Sequence, residues 1–249
     1  MAMQRLRLTF AHGESLRWIS HLDVVRLWER TLRRTGLPVA YTCGYNPQLR
    51  IQFAAALPTG CFGRAEVADL WMEKAVLPQE AAILIRAQLP PGIELLDVQE
   101  VDVHLPSLQS LLRAAEWRVA VDAMDLPWEE LERRVSRLLV AESLPRTRHR
   151  RLGQPARSYD LRPLIESLWL EGRDKDGWPI LRMRLRAEPG ATGRPDEVLE
   201  ALGLYQRPSR MERLALYFAE PGTGPATQKL PAKTPSSGDR DRQENLSRE

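Results

Sequence analysis

The sequence predicts an α+β protein made of tandem ferredoxin-like (βαββαβ) domains with a disordered C-terminal tail. Three observations carry this. Short segments alternate apolar and polar residues, the segments between them have helical periodicity, and the order strand–helix–strand–strand–helix–strand occurs twice, each time over roughly 100 residues. The boundaries read as 1–103 for the first domain, 104–115 for a linker, 116–219 for the second domain and 220–249 for the tail.

Each element has a local reason. In Gln4–Phe10, Leu6, Leu8 and Phe10 alternate with Arg5, Arg7 and Thr9, which predicts a half-buried strand with its arginines on an uncovered sheet face. Ser20 is placed to cap a helix, with Asp23 in the acidic position of a capping box. Leu22, Val25, Trp28 and Leu32 are its expected apolar stripe, and Gly36 followed by Pro38 ends it. A turn-rich loop, Tyr41–Pro47, leads to a strand over Leu49–Ala55. After the turn Leu57–Gly60 comes a strand near Glu66–Met72, then a helix over Pro78–Leu89 and a strand within Ile93–Val103. The second unit reads as a strand at Glu116–Val121, a helix at Trp128–Glu142 and strands at Tyr159–Leu170 and Ile180–Arg186. A short helix at Pro195–Leu204 and a strand at Arg213–Phe218 complete it. From Glu220 the chain loses apolar periodicity and is rich in Pro, Gly, Ser and charge, the composition of a disordered segment.

Composition narrows the function. The 249 residues are 43% apolar and carry only two cysteines, Cys43 and Cys61, which form neither a disulfide framework nor a zinc site alone. No apolar run is long enough to span a bilayer, and Met1–Phe10 lacks the apolar core of a signal peptide, so a cytoplasmic protein without membrane contact is expected. The net charge of +3 hides segregation: residues 1–65 carry +6, residues 66–142 carry −8 and residues 143–186 carry +6. The basic residues are 32 Arg against 4 Lys, and Arg makes planar bidentate contacts with phosphate.

Candidate functional residues follow from this pattern. Arg26, Arg30, Arg33 and Arg34 lie opposite the apolar stripe of the first helix, and Arg50 takes an open-face strand position. In the second half, Arg148, Arg150 and Arg151 form a basic run, Arg162 follows, and Arg182 and Arg184 alternate along one strand face. Open ferredoxin-like sheets bind single-stranded RNA on such faces, although the usual aromatic signature is missing. Ser20, His21 and Asp23 are expected near the turn Pro58–Gly63. Ser20 and Asp23 are explained by capping, and His21 either packs or serves as a general acid–base with Asp23 beside it. Tyr45 and Asn46, in the turn Gly44–Pro47, are candidates for RNA or partner contact. No nucleotide-binding glycine loop, nucleophile elbow or iron–sulfur cysteine motif is present, so no cofactor is expected in this chain.

Several motifs occur together in fixed order: Leu16–Asp23, Glu29-Arg30 with Arg33-Arg34, Leu37-Pro38 with Tyr41, Gly44–Pro47, Ala56–Gly60 and, farther on, Tyr159–Pro163. Over about 1–218 the chain resembles the bacterial radical-SAM-linked protein family, a domain of unknown function. That domain is found beside or fused to B12-binding-type radical SAM proteins. Gln48 and Leu49 depart from the His-Pro of many members, and Cys43 replaces a usual Ser, which favours binding over catalysis for this loop. The resemblance implies a separately encoded radical SAM partner carrying the cluster, and a role near RNA maturation. The leading expectation is an accessory RNA-binding protein that presents a structured RNA, a tRNA or rRNA, to that enzyme. The alternatives are an RNA-processing or modifying enzyme using His21 and a protein-only adaptor.

Overall fold

A computed structural model describes residues 4–148 and 157–220. The elements are β1 (Gln4–His12), α1 (His21–Thr35), β2 (Ile51–Phe53), β3 (Cys61–Met72), α2 (Pro78–Arg86), β4 (Ile93–Val101), α3 (Leu108–Leu111), β5 (Leu112–Val121), α4 (Trp128–Val140), β6 (Pro145–Arg148), β7 (Arg157–Asp160), β8 (Ile165–Arg173), β9 (Pro179–Glu188), β10 (Ala191–Thr192), α5 (Pro195–Ala201) and β11 (Ser209–Phe218). Together they make a mixed α+β protein with one large, mostly antiparallel sheet.

The first half orders its strands β4–β1–β3–β2, and the second orders them β11–β5–β9–β8 with β10 also on β9. The halves join where the start of β3 pairs in parallel with β11, Cys61 opposite Met211 and Gly63 opposite Arg213. Nine strands thus form one sheet among the described residues, and β6 and β7 make a separate ribbon. Each half has its own core. Leu6, Leu8, Phe10, Trp28, Leu70 and Ile85 fill the first, and Trp117, Val119, Leu131, Leu181, Met183 and Val198 are among those filling the second. Phe10 meets Trp28 edge-to-face, ring centres 4.8 Å apart.

Several details differ from the sequence reading. The stripe of α1 is rotated: Val24, Trp28, Thr31 and Leu32 are buried, whereas Leu22 is exposed. Spacings of four and seven residues keep the buried set on one arc, and Leu22 falls outside it. Residues 104–115 do not form a bare linker. Their carbonyls at Leu105 and Pro106 accept hydrogen bonds from Arg5, and α3 and the start of β5 lie within them. The strand expected over Tyr159–Leu170 is broken into β7 and β8 by a tight turn at Arg162–Leu164, where Pro163 removes an N–H. The expected tail falls outside the described residues from position 221.

Arg5 and Arg7 do not face solvent. Both guanidinium groups converge on Asp69, which is fully buried, and Arg5 is 1% exposed. The alternation stands, but at Arg5 the face it points to is covered by Leu105 and Pro106. Arg5 and Arg50 also pack on Trp71, at 4.8 and 4.5 Å from its ring centre.

Candidate nucleic-acid interface

Helix α1 is built as the sequence predicts at both ends. The Ser20 hydroxyl accepts from the Asp23 backbone N–H at 3.2 Å and donates to the Asp23 carboxylate at 2.7 Å. Gly36 closes the helix in the left-handed conformation, φ 69°, as a Cβ-free residue can at low cost. With one arc of the helix committed to the core, Arg26, Arg30, Arg33 and Arg34 are displayed on the exposed side. Arg26 has a long contact to Asp23, 3.4 Å, and Arg34 donates to the Gln88 carbonyl at 2.7 Å. Among the described residues Arg30 and Arg33 make no ion pair. Arg33 and Arg34 lie in the last turn, where the helix dipole favours positive charge.

The loop carrying Tyr45 and Asn46 is closed by the Thr42 N–H on the Gln48 carbonyl at 2.8 Å, and both candidates are exposed. It does not lie beside Ser20. Tyr41 and Leu49 line a surface hollow with Arg33, Gly36 and Leu37, so the loop sits at the C-terminal end of α1. Ser20 marks the other end, about 22 Å away at 1.5 Å rise per residue. The chain then runs back toward the start of the helix, where Phe53 packs against His21.

His21 packs its ring edge-on against Phe53, centroids 5.6 Å apart. Burial lowers its pKa, and the nearby Arg213 guanidinium adds to the effect, so the imidazole is neutral around pH 7. The Asp23 pKa is lowered chiefly by the Ser20 hydroxyl, and its carboxylate is engaged by Ser20 and Arg26. The pair His21–Asp23 is therefore not an acid–base couple in this arrangement: capping turns Asp23 toward Ser20 while His21 turns toward the sheet. The turn expected near this segment is indeed adjacent, through the Gly60 N–H on the Arg17 carbonyl at 2.6 Å. Its neighbours are Arg17 and the exposed Trp18.

The second-half arginines have a different setting. Arg182 bridges Glu116 and Glu171, and Arg184 faces Glu166 at 2.8 Å while stacking on Tyr217 at 4.0 Å. Burial would raise the Glu116 pKa, but hydrogen bonds from Tyr217 and Arg182 outweigh it and hold the carboxylate ionised. Arg162 donates to the carbonyls of Leu139 and Ile165, so it caps α4 instead of facing a ligand. Arg148 belongs to the β6 backbone ladder, and Arg150 and Arg151 lie outside the described residues. Arg50 is exposed but lies flat on Trp71.

The sequence reading missed the seam between the halves. Arg213 of β11 is 4% exposed, pairs with the buried Glu66 of β3 and donates to the carbonyls of Ala55 and Ala56 at 3.1 and 3.2 Å. Gly63 makes room for this: a Cβ there would come within 2.3 Å of a Glu66 carboxylate oxygen. A buried carboxylate and a buried arginine 147 residues apart leave no local pattern, so only a Gly three residues before a Glu hinted at crowding. Cys61, beside this seam, has its thiol pKa pushed up to about 12, mainly by burial, which keeps it protonated. No three His, Cys, Asp or Glu side chains among the described residues cluster as a metal ligand set. No helix among them is long and apolar enough to cross a membrane.

The family model described as "Uncharacterized protein conserved in bacteria (DUF2344)" matches residues 5–195. No curated protein matches the sequence. Among solved structures, a chain of the crystal structure of a Cbf5-Nop10-Gar1 complex is similar at 11% identity with a TM-score of 0.47. The match covers 86% of this chain, which spans about half, 49%, of that one.

Proposed function

The chain belongs to this uncharacterized bacterial family, and we propose that it is an accessory RNA-binding protein, reading its halves as two ferredoxin-like units fused through one sheet. The observation that carries the proposal is the exposed basic side of α1, where Arg30 and Arg33 stand without ion-pair partners among the described residues. Guanidinium groups spaced along one helix face meet successive backbone phosphates and release counterions, which gives affinity without sequence preference. The exposed Trp18 before the helix and Tyr45 beyond it offer faces on which unpaired bases stack. Presentation of that RNA to a separately encoded radical SAM enzyme is the part of the proposal that follows from the family resemblance.

A filter-binding titration with a structured RNA between 50 and 200 mM salt (roughly the range over which phosphate contacts are lost) tests this reading. Binding is expected to weaken with salt, and the Arg30→Glu/Arg33→Glu protein is expected to bind at least about tenfold more weakly with a shallower salt slope. No retention of RNA at the lowest salt would overturn it. Copurification of a radical SAM protein without nucleic acid would then identify a protein-only adaptor.

A further inference from the structure

A cleft of about 360 Å³ opens at the seam between the halves, bounded by Ala55 and Ala56 on one side, Gln109 and Trp117 at the base, and Arg194 and Arg213 around it. Its volume lies within the roughly 300–1,000 Å³ of small-molecule sites, and most of its lining is apolar. Three features make it more than a gap between packed elements. Trp117 is 3% exposed, yet its indole N–H has no hydrogen-bond partner among the described residues, an expense native proteins rarely carry without a reason. Trp28 shares that condition but lies in the closed first core, away from this cleft. The base of the cleft is held rigid, because Arg213 ties β11 to Glu66 and to the Ala55 and Ala56 carbonyls while stacking 5.4 Å from the Trp117 ring. Near the opening, Arg194 is 44% exposed and its one ion pair among the described residues is with Asp196, so the exposed part of its guanidinium remains reachable by an anion.

We infer that this cleft takes a single nucleobase with its attached phosphate. A flat ring suits apolar walls beside an indole, a ring nitrogen or carbonyl accepts from the Trp117 N–H, and the phosphate meets Arg194. The Gln109 side-chain amide already donates to the Phe53 carbonyl, which leaves its oxygen as the acceptor for an exocyclic amino group. The inference deepens the RNA-binding reading: an unstacked nucleotide of an RNA held on α1 would occupy the seam, giving specificity that phosphate contacts lack.

The test is isothermal titration of the full chain with AMP, GMP, CMP and UMP, and with ribose 5-phosphate and inorganic phosphate as controls. At least one nucleoside monophosphate is expected to bind saturably, and the two controls are not. Ala56→Trp, which fills the opening from an exposed position, is expected to weaken that binding at least tenfold, and Trp117→Phe to weaken it several-fold. Ala187→Phe, at another lining position, serves if Ala56→Trp fails to fold by circular dichroism. Absence of saturable nucleotide binding overturns the inference, as does equal binding of ribose 5-phosphate or indifference to both filling substitutions. In those cases the RNA reading stands if the Arg30→Glu/Arg33→Glu effect holds. Nucleotide binding without RNA retention overturns the RNA reading and leaves the cleft.

Discussion

On α1 the guanidinium groups of Arg30 and Arg33 stand in solvent, whereas on β9 those of Arg182, Arg184 and Arg186 each face a carboxylate. Both rows look alike as sequence, and each has the spacing that puts arginines on one face of its element. The difference lies in the neighbours. A surface helix meets the rest of the protein through one arc, so its outer residues look first to positions three or four away, as Arg26 does to Asp23. Only at the helix end does Arg34 reach another segment, at Gln88. A strand has neighbours on both sides, and β9 lies between β5 and β8, which supply Glu116, Glu166 and Glu171. A basic row in a central strand is therefore lattice-like and nearly neutral, while a basic row on an exposed helix stays available to an external anion.

The contrast can be broken in order of effect. The extreme of the paired class is Arg213: Arg213→Met would leave Glu66 charged and buried, and is expected to cost about 3–5 kcal/mol in urea unfolding. The same change at Arg30 is expected to fall within about 0.5 kcal/mol. Arg182→Gln should sit between them, about 1–3 kcal/mol, because it strips a partner from the half-buried Glu116. It should leave RNA affinity nearly unchanged, the reverse of the α1 charge reversal. Equal loss of RNA binding from both rows would dissolve the distinction.

Smaller effects sharpen it. Ser20→Ala is expected to cost about 1 kcal/mol by removing the α1 cap, lowering the thermal midpoint and loosening the helix that displays the free arginines. The smallest expected effect is in pH. Burial holds the His21 and His12 pKa values below the ordinary value of about 6.5. For these groups the unfolded chain binds more protons, so their contribution is complete above about pH 6.5 and is lost as the pH falls through the lower folded values. His21→Gln should flatten the decline of the thermal midpoint between about pH 6.5 and pH 5.

Much of the local structure was legible. The Ser20 cap, the Gly36 stop, the exposed arginines of α1 and the alternation of β1 all follow from short-range rules and stand in the structure. The Ser20–Asp23 cluster was legible as a cap but not as a site, because one carboxylate cannot serve both Ser20 and a histidine turned toward Phe53. Tyr45 and Asn46 were legible as turn residues, but not which end of α1 their loop lies beside, since the direction of β2 depends on pairing with β3.

By itself the sequence determined the order of the main helices and strands, both ends of α1 and the alternation along β1, since these depend on neighbours a few positions away. Only the tertiary structure decided which arginines are free. Asp69 reaches Arg5 across 64 positions, Glu116 reaches Arg182 across 66 and Glu66 reaches Arg213 across 147, so the charge each arginine presents is set by strand pairing and burial. Removing a guanidinium from water is tolerated only where a carboxylate or carbonyl meets it, and that partner is a property of the folded sheet.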